Sequence, residues 1–148
     1  MSVANQVDLD GQYRAVREEA GAAIRARGFV TVGGADAAEY LQGQVTNDVE
    51  SLEPGQGAYS ALLDRKGRMQ ADMRILRTAG DMLIDVERDT LAGVLRHLTM
   101  YAVGRDVTMG EEGDGLALIS IAGPAAPLPA SQPIRNAPPS KFLSRRST

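Results

Sequence analysis

The sequence predicts an α+β fold, an antiparallel sheet with helices packed on one face. Three observations carry this. Short apolar or alternating runs follow one another on brief polar turns, and consecutive strands on short turns pair antiparallel. Amphipathic stretches with a period near 3.6 stand before and among those runs. The chain has 148 residues, 43% hydrophobic and 24% charged, the proportions of an ordinary globular domain with one core.

Taken in order, residues 11–27 carry Tyr13, Val16, Ala20 and Ile24 at helical spacing, with Arg17, Glu18 and Arg25 on the other flank. Gly28 is the expected helix stop, and 29–32 (Phe-Val-Thr-Val) the first strand. After the Gly33-Gly34 turn, 35–41 reads as a second helix with Asp36 at its positive end. A Pro-Gly turn at 53–57 precedes a strand over 58–63 and a polar turn at 64–67. Residues 69–77 and 82–86 read as a hairpin about 78–81. The stretch 89–101 aligns Leu91, Val94, Leu95, Leu98 and Ala102 on one helical face, with Asp89 as its expected N-cap. Strands are expected at 106–109 and 116–121, around an acidic, glycine-rich turn at 111–115.

The composition excludes several kinds of chemistry. There is no cysteine, hence no disulfide, thiol nucleophile or thiolate metal site built from this chain alone. A formal net charge of -3 argues against a dedicated nucleic-acid binder. No apolar run is long enough to span a bilayer, and the first residues lack a secretory pattern, so a cytoplasmic location is expected. From Pro124 onward there are four basic residues, no acid and six of the seven prolines. That stretch cannot bury much apolar surface, and most of it is expected to be disordered.

Three segments could carry chemistry. Gln44, Thr46, Asn47 and Asp48 follow the second helix and are rich in donors and acceptors that can fix a polar heterocycle. The routine alternative is that they cap the helix and order a loop. In the second segment, 63–74, Arg65 and Lys66 suit a solvated hairpin tip. Asp72 and Arg74 share one face of a strand, as a surface ion pair or as the polar floor of a cleft. The only histidine, His97, is expected to face solvent without a catalytic or metal-ligating partner. No catalytic residue and no metal site is assigned from these residues.

The same segments carry a family resemblance. Gly-Ala-Asp-Ala-Ala-Glu-Tyr-Leu-Gln-Gly-Gln-Val-Thr-Asn-Asp-Val (34–49) resembles the opening signature of YgfZ proteins, and Asp-Arg-Lys-Gly-Arg-Met-Gln-Ala-Asp-Met-Arg-Ile (64–75) their second block. Tyr101-Ala102-Val103, Asp106-Val107-Thr108 and Ile121-Ala122-Gly123-Pro124 follow in family order, and 13–17 is similar to the start of glycine-cleavage T-proteins. The resemblance spans roughly residues 11–126 and implies an N-terminal domain of the YgfZ/aminomethyltransferase type.

The resemblance also implies a scaffold that binds tetrahydrofolate, with Gln44, Thr46, Asn47, Asp48, Asp72 and Arg74 as the candidate folate contacts. T-proteins use folate to accept a one-carbon unit, with the first of two adjacent acids as catalytic residue. That pair is Ala71-Asp72 here, so the transferase acid is expected to be missing. YgfZ proteins support folate-dependent assembly or repair of iron–sulfur enzymes, which the resemblance makes the expected partners. Their later Lys-Gly-Cys-Tyr motif has no counterpart in this chain. A truncated YgfZ-like protein is the expectation: residues 1–115 as the folate-binding domain, 116–126 as the start of an incomplete second one, and 127–148 as tail. Self-association through an uncovered domain surface is expected of such a fragment. An active aminomethyltransferase, or an interaction module or non-functional remnant, are the alternatives.

Overall fold

The structure, a computed structural model, describes residues 8–113 and 115–126. Among them, the residues up to Arg25 and from Ile119 onward form one compact unit, and Ala26–Leu118 form a second. The stretch 127–148, expected to be a disordered tail, lies outside the described residues.

In the first unit, helix α1 (Leu9–Glu18) starts where the Asp8 carboxylate accepts the Gly11 N–H at 2.9 Å. Strand β1 (Gly21–Arg25) pairs with β7 (Leu118–Ala122). The helix expected over 11–27 therefore ends at Glu18. Gly21 disfavours helix by about 1 kcal/mol relative to Ala. The Glu19 carbonyl is taken by the Ala125 N–H at 2.8 Å, a long-range bond. Gly123, at φ 130°, passes so close that an added Cβ would lie 2.5 Å from that carbonyl oxygen.

The second unit contains β2 (Arg27–Gly33), α2 (Ala37–Gln42), β3 (Gly57–Leu63), β4 (Met69–Arg77), β5 (Met82–Glu87), α3 (Leu91–Tyr101) and β6 (Thr108–Glu112). Its sheet runs β3-β4-β5-β2-β6, each neighbour antiparallel. Period-two alternation puts Val30, Val32, Met73, Ile75, Met82, Ile84 and Val86 on one face. There they bury against Ala37, Tyr40 and Leu41 of α2 and Leu91, Val94 and Leu98 of α3. The α+β expectation holds, with α2 and α3 on one sheet face. Tyr40 pins the two helices together, its hydroxyl donating to the Leu98 carbonyl at 2.6 Å, and burial pushes its pKa up to about 12.

Several boundaries differ from expectation for identifiable reasons. Gly28 ends no helix; it lies inside β2 because an added Cβ would stand 2.7 Å from Leu91 Cδ2. Asp89 does not cap α3. Residues Arg88–Thr90 form a single 3-10 turn, and Thr90 precedes α3 with its hydroxyl donating to the Glu87 carbonyl at 2.9 Å. Residues 106–107 are not strand. Asp106 accepts the Asp36 N–H at 3.1 Å and returns its own N–H to Asp36 Oδ2 at 2.9 Å, which anchors the loop to the start of α2. Strand β6 therefore begins later, and Glu111 and Glu112, expected in a turn, sit opposite Val30 and Phe29.

The second sheet face has two halves. Phe29 and Leu83 are buried there under Leu76, Leu116 and Leu118. The other half is polar. Among the described residues, no helix is long and apolar enough to cross a membrane.

Candidate functional site

The polar half of the sheet face opposite α2 and α3 is built by alternation: apolar side chains toward those helices force Tyr59, Asp72, Arg74 and Asp85 to the other side. Arg74 lies opposite Tyr59 on β3 and opposite Asp85 on β5. Asp85 is 2% exposed, a buried acid inside the apolar strand Met82–Glu87. Its two carboxylate oxygens are divided: Oδ1 accepts from Arg27 Nε at 2.6 Å, and Oδ2 pairs with the Arg74 guanidinium. Arg27 is saturated further by Glu87 and by the Asp85 carbonyl, the latter at 3.1 Å. Such pairing is what lets a carboxylate stay charged when withdrawn from water.

Asp72 is held differently. The Tyr59 hydroxyl donates to its Oδ2, which keeps the Asp72 carboxyl below the usual range and raises the tyrosine. Asp72 and Arg74 therefore share one face, as expected, but are not paired with each other. Each is tethered to a neighbouring strand and each keeps hydrogen-bonding capacity toward solvent. The Tyr59 ring is exposed and the Arg74 side chain is 43% exposed.

The four loop candidates are dispersed. Thr46 Oγ1 accepts the Ala61 N–H at 3.0 Å, while its own N–H donates to the Ala61 carbonyl, extending the β3 edge. Asn47 donates to the Tyr59 carbonyl at 2.9 Å and takes Ser60 Oγ on its N–H. Asp48 accepts from the Ser51 hydroxyl and N–H, which lowers its pKa. Three of the four thus order the loop, and Asn47 alone touches the strand residue Tyr59. Gln44 goes elsewhere, its side-chain oxygen lying 3.3 Å from His97 Nε2.

His97 is thereby not a free, solvent-facing side chain. It is half-buried, tilted against the Tyr101 ring at 4.6 Å, and burial lowers its pKa. It lines an open cavity of about 520 Å³ with Leu62, Gln70, Arg96, Met100 and Tyr101 among others. Arg65 is not simply a solvated tip residue either, since its guanidinium sits 5.9 Å from the Tyr101 ring centroid.

Position 71 bears on the transferase question. Ala71 is 5% exposed, opposite Leu62, and belongs to the helix-covered core. An acid there would point away from the polar face; the acid on the open face is Asp72. Sequence reasoning missed Tyr59, Arg27 and Asp85. The signal for Asp85 was present, a lone acid interrupting Met-Leu-Ile-Asp-Val.

The chain is similar to known proteins. The chain is 38% identical over 96 residues to the tRNA-modifying protein YgfZ of Klebsiella pneumoniae, covering 64% of this chain and 29% of that protein. It is 32% identical over 117 residues to an aminomethyltransferase of Bacillus velezensis, covering 78% of this chain and 32% of that one. The chain thus spans about a third of the length of these relatives. The crystal structure of the glycine cleavage system aminomethyltransferase T from Bartonella henselae superposes with a TM-score of 0.69 at 22% identity, over 77% of this chain and 32% of that one, a likeness of fold. With the GCVT N-terminal domain model matching residues 6–131, the chain belongs to that family.

Proposed function

We propose that the polar half of the sheet face opposite α2 and α3 is this chain's contribution to a tetrahydrofolate site. We propose further that the protein serves, in the cytoplasm, the YgfZ-type role of folate-dependent assembly or repair of iron–sulfur enzymes. The observation that carries the folate reading is the pair Asp72 and Arg74. They are side by side on β4, opposite in charge, tethered from opposite neighbours, and open to solvent. Preorganised polar groups of this kind fix a heterocyclic ligand without a reorganisation cost on binding. Asn47 supports them through Tyr59; Thr46 and Asp48 shape the loop, and Gln44 belongs to the His97 cavity.

The relatives' name, tRNA-modifying protein, is theirs. It is compatible with a client enzyme acting on RNA. With 19 acids against 16 bases, this chain offers no overall positive field to draw a polyanion.

Calorimetric titration of the full chain with tetrahydrofolate tests the folate reading. Saturable heat that Asp72→Ala and Arg74→Ala each weaken supports it; no heat at millimolar ligand overturns it. A second reading, aminomethyl transfer, draws on Asp72 itself, a carboxylate held ionised on the open face. Turnover with a lipoyl-carried aminomethyl group, abolished by Asp72→Asn, would establish it; no turnover leaves the chain a binding domain.

A further inference from the structure

We propose that the groove between α3 and the β3–β4 turn is a docking surface for an acidic, amphipathic segment of a partner protein. The groove shares no lining residue with the Tyr59, Asp72 and Arg74 face and does not depend on the folate reading. Six large apolar side chains of the second unit are exposed. Five of them, Leu63, Met69, Met100, Tyr101 and Val103, flank this turn or stand at the end of α3. Leu63 and Met69 are cross-strand partners, and their neighbours Leu62 and Gln70 line the α3 cavity together with Met100 and Tyr101. Apolar side chains gathered around a recess mark a contact site, unlike hydrophobic residues scattered singly over a surface. Methionine at such a rim can repack against the shape that enters.

The partner's chemistry follows from the charge at the rim. Acids outnumber bases over the whole chain, 19 to 16, yet here the sign is reversed. Arg65, Lys66 and Arg96 meet no carboxylate among the described residues, while Asp64 is neutralised by Arg68 at 2.7 Å. Asp89 also lines the cavity, but it precedes Arg96 by seven residues, roughly 10 Å along the helix axis. The positive charge therefore lies toward the C-terminal end of α3, where acids of a partner are steered and held. An apolar side chain of the same segment can fill the recess over Leu62 and Val94. Space for it is present at Gly93, where an added Cβ would meet nothing within 4 Å.

Two other occupants fit less well. Nucleic-acid bases stack on open aromatic faces, whereas the Tyr101 ring is already engaged by His97 at 4.6 Å and by the Arg65 guanidinium at 5.9 Å. A bilayer surface is flat on this scale and cannot enter a recess of about 520 Å³.

The test is fluorescence anisotropy of a labelled helical peptide, leucine along one stripe and glutamate elsewhere, titrated with the full chain. The competing probes are the same peptide with lysine for glutamate, a single-stranded RNA, and phosphatidylserine vesicles. Saturable binding of the glutamate peptide, and of no other probe, is expected. Arg65→Glu combined with Arg96→Glu should weaken it at least tenfold, and Gly93→Met, which fills the recess, should weaken it as well. All three positions are exposed, and an unchanged urea midpoint shows that each variant is folded. Met100→Ala, which should also weaken binding, takes the place of any variant whose midpoint falls. Asp72→Ala should leave peptide binding unchanged, which separates this groove from the folate face. Absence of peptide binding, equal binding of the lysine peptide, preference for RNA or vesicles, or full affinity in the Arg65→Glu, Arg96→Glu variant overturns the proposal. Dimerisation of the chain abolished by Met100→Asp would give the groove to a second copy and overturn it too.

Discussion

Arg27 and Asp85 meet across β2 and β5 as a nearly buried ion pair, Nε to Oδ1 at 2.6 Å, on the one sheet face that no helix of the second unit covers. A charged pair in that position has a cost unless both partners stay. Removing one partner of a buried pair typically costs about 3–5 kcal/mol. Arg27→Ala should therefore lower the unfolding free energy by about that amount, toward the lower end because Arg74 still faces Asp85. Urea denaturation measures it, and Arg74→Ala, at a half-exposed side chain, should cost clearly less.

The Tyr59–Asp72 bond gives an acid-side dependence. The Asp72 pKa is lowered in the folded chain, chiefly by the Tyr59 hydroxyl. Its contribution to stability is therefore complete above the ordinary carboxylate value near 3.8 and is lost as pH falls through the lowered one. Tyr59→Phe should reduce Tm at neutral pH, and the difference from the parent should vanish in acid.

His97 titrates in a different range. Burial lowers its pKa below the ordinary 6.5, so as pH falls past that value the unfolded chain takes up the proton first. Stability should decline below pH 6.5 for this reason, and His97→Gln should flatten that part of a Tm-against-pH profile.

Two glycines should respond in opposite directions to alanine. Gly34 has φ 108°, and a Cβ there would lie 2.2 Å from the Asp106 carbonyl oxygen, so Gly34→Ala should destabilise by about 2 kcal/mol or more. Gly93 is within α3 with nothing within 4 Å of an added Cβ, so Gly93→Ala should stabilise by about 1 kcal/mol. Thermal unfolding of both variants checks the contrast.

Ala71→Asp distinguishes the two acid positions of the second block. At 5% exposure beside Leu62 and Met73, a new carboxylate would be desolvated without a partner. It should cost about 3 kcal/mol or more and should confer no aminomethyl transfer. A stable variant with transfer activity would show that position 71 reaches a reacting ligand.

Legibility from sequence tracks locality. The β4–β5 hairpin and the apolar stripe of α3 rest on short-range alternation and helical spacing, and both are present. The helix expected over 11–27 runs past the observed end because Tyr13, Val16, Ala20 and Ile24 keep a helical period, while β1 is held by β7, nearly a hundred residues away. Gly28 and Asp89 each had a correct local preference and another use. Gly28 makes room for Leu91, and the turn before α3 takes the place of a cap. At the candidate site, the common face of Asp72 and Arg74 was readable from their spacing. Their tethers were not, since Tyr59 and Asp85 lie on other strands and the register alone brings them together.

The most direct test of the folate reading is an amide chemical-shift titration of the labelled chain with tetrahydrofolate. Saturable shifts centred on Tyr59, Asp72, Arg74 and Asp85 are the expected result. Shifts confined to His97, Gln44 and Tyr101 around the α3 cavity, or none at all, would contradict it.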